Sequence, residues 1–132
     1  MKACCLLVLM SLLLSFPLFS QTTPTLKSLS TVDFSKLLET KTVLLVDVRT
    51  VAEFSQGHIP GALNVDVNDP EFVNTIKTLN KGKPLALYCR SGRRSKLAAS
   101  KLTGSGINIY DLDYGFLDWI KAGLPVSVGI KR

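Results

Sequence analysis

An α/β domain on a mainly parallel central sheet, with helices on both faces, is the fold class this sequence predicts. Three observations carry the prediction. Short apolar runs alternate with stretches of helical composition from about residue 31 to residue 122. Most of the runs are apolar throughout, as strands buried on both faces are, and do not alternate apolar with polar residues. No internal repeat, low-complexity tract or linker interrupts residues 25–130.

The elements follow in order. Thr31-Val-Asp-Phe-Ser-Lys-Leu-Leu reads as a short helix, with Thr31 as N-cap and Val32, Leu37 and Leu38 as its inner face. Residues 43–46 are β-branched and apolar and predict a buried strand. Residues 50–56 form a helical turn closed by Gly57, and Ile59-Pro-Gly-Ala is a turn. Residues 63–67 are a second strand. Asp69-Pro-Glu-Phe opens a helix with Asp69 as N-cap and Pro70 in the first position, which places Phe72, Val73 and Ile76 on one face. Lys81-Gly-Lys-Pro breaks the chain. Residues 85–88 are a third buried strand. Residues 93–103 form a helix with Leu97, Ala98 and Leu102 inward and Gly104 as C-cap. Residues 107–110 are a fourth strand, and residues 113–122 a last helix that stops at Gly123-Leu-Pro.

The first twenty residues, MKACCLLVLMSLLLSFPLFS, differ from the rest. One early cation, Lys2, precedes a long apolar stretch that ends before polar Gln21. This pattern predicts a secretory signal peptide over residues 1–20, a flexible leader over 21–26 and a single domain over 27–130. The competing reading is an uncleaved anchor, but Ser11, Ser15 and Pro17 interrupt the apolar run. Cleavage implies an exported protein, periplasmic or secreted, with no stable membrane association. It also removes Cys4 and Cys5, leaving Cys89 as the one thiol, so an internal disulfide framework is excluded. Loss of Lys2 lowers the formal charge from +6 to +5. That excess is spread along the chain without a long basic run, which argues against nucleic acid as a partner. Weak attraction to small anions follows from it.

The segment LALYCRSGRRSK, residues 85–96, carries the chemistry. Ligands of parallel sheets bind beyond the carboxyl ends of the strands, and Cys89 lies where the third buried strand ends. Residues 90–94 then turn into a helix. Such a turn points successive backbone N–H groups at one spot, and the helix N-terminus adds partial positive charge. A thiol held there is expected to be acidic and therefore nucleophilic. Gly92 suits a tight loop, and Ser91 is small and can donate a hydrogen bond. Arg90, Arg93 and Arg94 can hold an anionic substrate. The structural alternative is a buried core cysteine before an ordinary helix start.

Cysteine phosphatases place an arginine six positions after the nucleophile, where this chain has Ser95. Arg94, at the fifth position, fits the shorter loop of the rhodanese-like sulfurtransferases. The resemblance to that family extends along the chain. Leu45-Val-Asp-Val-Arg resembles its Asp-x-Arg strand end. Glu53-Phe-Ser-Gln-Gly-His-Ile-Pro-Gly-Ala-Leu-Asn resembles its E-F-x-x-G-H-I-P-G-A-x-N segment. Cys89-Arg-Ser-Gly-Arg-Arg-Ser is similar to its active-site loop. Residues 110–126, with Gly115, Trp119 and Pro125, resemble its closing segment, except that Tyr114 stands where the family usually has the first of two glycines.

The resemblance implies a rhodanese-like fold and a thiosulfate sulfurtransferase. Cys89 would take a sulfane sulfur from a small anionic donor such as thiosulfate, hold it as a persulfide, and pass it to a thiophilic acceptor, cyanide or a thiol. The N–H groups of residues 90–94 would stabilise the anionic sulfurs. No cofactor and no metal is implied. Two alternatives stay open: a non-catalytic or carrier module that delivers sulfur to, or recognises, a protein partner, and a cysteine-dependent phosphatase. Asp47, Arg49, Glu53 and His58 are supporting candidates. Arg49 either pairs with Glu53 and supports the loop, contacts substrate, or belongs to a structural ion pair. His58 either touches substrate or is a hydrogen-bonded turn residue. Phe116 and Trp119 are expected in the core, and Lys96 and Lys101 in solvent.

Overall fold

The structure, a computed structural model, describes residues 25–130; the predicted signal peptide and residues 21–24 of the predicted leader lie outside the described residues. Five strands, β1 (Leu26–Leu29), β2 (Leu44–Asp47), β3 (Leu63–Asn64), β4 (Leu85–Tyr88) and β5 (Ile109–Leu112), alternate with five helices. The helices are α1 (Thr31–Glu39), α2 (Val51–Gln56), α3 (Phe72–Leu79), α4 (Arg93–Lys101) and α5 (Gly115–Lys121). The strands make one sheet in the order β1-β5-β4-β2-β3, parallel at every pairing. This is the α/β class that the uniformly apolar runs predict.

The period of two along the central strands builds two cores. Val46, Leu85 and Leu87 point to one face, where Phe72 and Ile76 of α3 and Ala98 of α4 cover them, with Leu102 just beyond that helix. Leu45, Ala86 and Tyr88 point to the other, under Phe34 of α1 and Phe116 and Trp119 of α5. Phe116 and Trp119 thus lie in the core, as their type and spacing predict.

Several local expectations shift. The sheet begins at Leu26, inside the segment read as a leader, because β1 pairs with β5 from Leu26↔Ile109 to Leu29↔Leu112. The α1 N-cap is Ser30, whose Oγ accepts from the Asp33 N–H at 3.2 Å. Thr31, read as that cap, is buried, and its hydroxyl donates to Asp118 of α5 at 2.5 Å. With the helix phase set this way, Val32 is 62% exposed and Phe34 takes the inner position. Asp69 does not cap α3. Its carboxylate accepts from the Glu71 N–H and its carbonyl from the Phe72 N–H, so residues 69–71 form a turn and the helix starts at Phe72. In α4, Leu97 is 45% exposed, and Ser95, Ala98 and Ala99 face inward. That helix is capped by Leu102, and Gly104 lies beyond it. The second strand shrinks to Leu63–Asn64, although Val65 and Val67 remain buried and bond back to Asp47 and Val48. The last strand runs from Ile109 to Leu112, later than the apolar run alone places it.

Ile76 is fully buried between α3 and the sheet. Ile76→Ala is expected to cost about 2–5 kcal/mol through lost burial and an incompletely collapsed cavity. Exposed Val32→Ala should stay within about 0.5 kcal/mol. Urea denaturation of the two variants side by side reads both.

Candidate active site

The sheet order sets where a site can form. From β2 the chain crosses to β3 on one side, and from β4 it crosses to β5 on the other. The crevice beyond the carboxyl ends of β2 and β4 is therefore a topological switch point, the usual ligand position in an open parallel sheet. Asp47 and Arg49 arrive there from β2, and Cys89 from β4.

Cys89 is 1% exposed and starts a loop that runs into α4. The Gly92 N–H donates to the Cys89 Sγ at 3.1 Å. Gly92 caps α4 at φ 96°, and a Cβ there would run into the Asp113 carbonyl, so both the dihedral and the space demand glycine. The loop is also held from above. The Phe116 N–H donates to the Cys89 carbonyl at 2.8 Å, and the Leu117 N–H donates to the Arg90 carbonyl at 3.1 Å. Two orphan donors at the start of α5 are thereby satisfied by the loop itself. This approach works because Gly115, at φ 69°, has no Cβ to strike the Arg90 backbone. Tyr114 sits at φ −99°, an ordinary conformation for any residue, and its side chain is 66% exposed. Tyr114 in place of a glycine therefore introduces no backbone strain.

Two arginines are committed to carboxylates. Arg49 pairs with Asp47, its Nη2 donating to Oδ2 at 2.6 Å and its Nε to Oδ1 at 3.0 Å, and both residues are buried. Of the alternatives for Arg49, the structural ion pair is the one that forms, with Asp47, and the Arg49–Glu53 pairing does not. Arg49 Nη2 also donates to the Gly57 carbonyl at 2.7 Å, and its guanidinium lies 4.4 Å from the Phe116 ring centroid. Burial opposes the Arg49 charge, but hydrogen bonding and Coulomb attraction from Asp47 outweigh it and hold the pKa above arginine's usual value. Glu53 instead takes Arg94, in a bidentate pair with both N···O distances at 2.8 Å. The same carboxylate closes a capping box with Thr50 at the start of α2. The hydrogen bonds from Arg94 lower the Glu53 pKa to about 2, against the opposing effect of burial.

Arg90 and Arg93 are exposed and, among the described residues, take part in no ion pair. Ser91 is exposed at the rim. Arg90 also lines a cleft of about 440 Å³ beside the loop, with Arg49, Glu53, Phe116, Leu117 and Ile120. His58 lies elsewhere: its Nδ1 is 2.9 Å from the Phe54 carbonyl, and its ring stacks on Phe54 with centroids 3.7 Å apart. It belongs to the turn.

Behind the sulfur lie residues that the sequence reading did not assign to the site. Ser95 Oγ is 3.8 Å from Cys89 Sγ and donates to Asp111, which is fully buried on β5. Lys96 is exposed, as expected, and from there binds Asp111 and Asp113, each at 2.9 Å. Lys101 is exposed as well, and donates to the Val67 carbonyl at 2.8 Å. The available signal was Asp111 itself, a carboxylate directly after the strand segment predicted at 107–110 and next to Leu112.

Known proteins resemble this chain in sequence and in fold. A family model described as Rhodanese-like domain matches residues 30–122. A sulfurtransferase of Allochromatium vinosum is 37% identical over 92 residues, 69% of this chain and 84% of that protein. A thiosulfate sulfurtransferase GlpE of Shewanella oneidensis is 35% identical over 97 residues, 73% of this chain and 94% of that protein. Among solved structures, a rhodanese-related protein from Thermoplasma volcanium superposes with a TM-score of 0.68 at 31% identity, covering 76% of this chain and 97% of that one.

Gly92→Ala should destabilise the protein by at least about 1–2 kcal/mol from the left-handed dihedral alone, with the Asp113 clash in addition. Thermal unfolding measures it, and the unfolding midpoint should fall. The Glu53–Arg94 pair makes a second prediction. The Glu53 pKa is depressed in the folded state, so its stabilisation is present above its ordinary value of 4.5 and is lost as pH falls towards about 2. The stability gap between wild type and Glu53→Gln should be present at neutral pH and close across that window. Denaturant titrations at stepped pH would show it.

Proposed function

This chain belongs to the rhodanese-like domain family, and from that premise we propose that it is a sulfurtransferase working through Cys89. The observation that carries the reading is the Cys89 sulfur at the carboxyl end of β4 with the Gly92 N–H aimed at it from 3.1 Å, at the start of α4. Backbone N–H groups at a helix start are the donors that a negatively charged sulfur needs.

In the proposed cycle, the Cys89 thiolate attacks the sulfane sulfur of an anionic donor such as thiosulfate. The donor's S–S bond breaks, sulfite leaves with the bonding pair, and Cys89 carries a persulfide. A thiophilic acceptor, cyanide or a thiol, then attacks the terminal sulfur, and the Cys89 thiolate is released. This is two-step covalent catalysis on one nucleophile. In this reading the arginines have two jobs. Arg90 and Arg93, exposed and outside any described ion pair, are the cations that attract and hold the anionic donor. Arg94 anchors the loop to α2 through Glu53, and Arg49 braces the crevice through Asp47. The apolar edge of the cleft at Phe116, Leu117 and Ile120 favours an acceptor with some organic bulk. The pattern of residues 1–20 adds export to this reading.

The test is the mass of the protein before and after thiosulfate treatment, with the modification located on the Cys89 peptide. Wild type should gain one sulfur atom at Cys89 and lose it on adding cyanide, and Cys89→Ser should gain none at position 89 while remaining folded. No gain in a folded, reduced sample would overturn the reading. A sulfur that loads on Cys89 but passes only to a partner protein, and not to cyanide, would identify a carrier.

A further inference from the structure

Cys89, Ser95 and Asp111 form a buried line running inward from the loop. The Cys89 Sγ lies 3.8 Å from Ser95 Oγ, within reach of an S–H···O hydrogen bond. Ser95 is fully buried, and its hydroxyl faces two protein acceptors, the Gly92 carbonyl at 3.1 Å and Asp111 Oδ1. The other oxygen of Asp111 accepts from Ser28 at 3.0 Å and from Lys96 at 2.9 Å. The remaining charged groups that face this region are already in pairs. Arg94 is held by Glu53, Asp47 of the neighbouring strand by Arg49, and Asp113 by Lys96. A serine hydroxyl has a single proton to give, and it rotates to suit its surroundings. While the sulfur is protonated, the Ser95 proton goes to Asp111 and a Ser95 lone pair receives the S–H. When the sulfur is an anion, its proton having gone to solvent, the same hydroxyl can turn and donate to it. Asp111 then keeps Ser28 and Lys96.

We propose that Asp111 is a positioning residue for Cys89 that acts through Ser95: the carboxylate sets the direction of the Ser95 hydroxyl, which switches between Asp111 and the sulfur as Cys89 passes between thiol and thiolate. No proton leaves the hydroxyl in this exchange. Ser95 supports the anionic sulfur, and Asp111 competes for the same proton. The two residues therefore have opposite effects on thiol reactivity, which purely structural roles would not produce. The inference rests on Cys89 being the nucleophile, but it concerns the thiol itself. It can fail while sulfur transfer stands, and it can stand if the sulfur donor proves to be another anion.

The experiment is the rate of Cys89 alkylation by iodoacetamide, read on the Cys89 peptide by mass spectrometry, from about pH 5 to about pH 9 around the ordinary thiol range. The samples are the wild-type protein, Ser95→Ala, Asp111→Asn and the double variant, each checked for folding by circular dichroism. Ser95→Ala should shift the rate profile to higher pH and slow alkylation near neutrality by about tenfold, the effect of one hydrogen bond to a charged atom. Asp111→Asn, a weaker competitor for the hydroxyl proton, should shift the profile to lower pH. In the double variant the Asp111→Asn shift should vanish, because its effect passes through Ser95. An Asp111→Asn shift of equal size with and without Ser95 would mean direct charge repulsion and would overturn the proposal. So would an unchanged profile in Ser95→Ala, which decides the matter alone if Asp111→Asn does not fold.

Discussion

The register of β2 against β4 is the constraint from which the site follows. Leu44 pairs with Leu85 and Asp47 with Tyr88, so the two strands end at the same level. Parallel strands point their carboxyl ends the same way, and here the two connections then diverge to opposite sides of the sheet. The space left between them receives the Asp47–Arg49 pair from one strand and Cys89 from the other. A slip of one residue would turn every side chain of a strand to the opposite face. It would take Leu87 out of the α3–α4 core and Tyr88 from beneath Phe116, whose ring centroid is 6.0 Å away. Because both faces are packed, side-chain shape opposes such a slip, and the placement of Cys89 is tied to the packing of both cores.

Around that edge, charge is used mainly as a brace. A buried ion pair gains stability only when its geometry is good and its remaining donors are satisfied. Arg49 meets that condition. It binds both Asp47 oxygens, reaches the Gly57 carbonyl behind α2 and covers the Phe116 ring of α5. The Arg94–Glu53 pair ties the first turn of α4 to the first turn of α2, where Glu53 already closes a capping box. The two pairs hold α2, α4 and α5 around the loop.

The loop itself depends on backbone more than on side chains. Its carbonyls at Cys89 and Arg90 cap α5, and its Gly92 N–H points at the sulfur. Glycines are needed at two contacts, Gly92 against Asp113 and Gly115 against Arg90, because each brings two main chains closer than a Cβ allows. Behind this shell, Asp111 is a buried carboxylate with serine and lysine partners, linked through Ser95 to Cys89. Buried charge of this kind is costly unless every lone pair is used, and here a hydroxyl links it to the sulfur.

By itself the sequence determined the fold class, the buried strand that delivers Cys89, the glycine loop after it and the cluster of arginines. Each is local: an apolar run of four residues declares a buried strand, and a cysteine followed by small residues and a helix start declares a tight turn, in which the Gly92 N–H meets the sulfur. It also determined the core positions of Phe72, Ile76 and Trp119. Only the tertiary structure decided the rest. β1 was hidden because LKSL is half polar and gains its partner only from β5, 83 residues away at Ser28 and Asp111. The choice of Ser30 over Thr31 as a cap turned on a contact with Asp118 in α5. Three clustered arginines look alike in sequence, yet Arg94 is claimed by Glu53 from 41 residues away while Arg90 and Arg93 face outward. The assignment of Arg49 to Asp47 and the line from Cys89 through Ser95 to Asp111 arise in the same way. The physical reason is common to all of them. Hydrophobic period and turn chemistry are written in neighbouring residues, but the partner of a charge or hydroxyl is chosen by which strands the sheet places side by side.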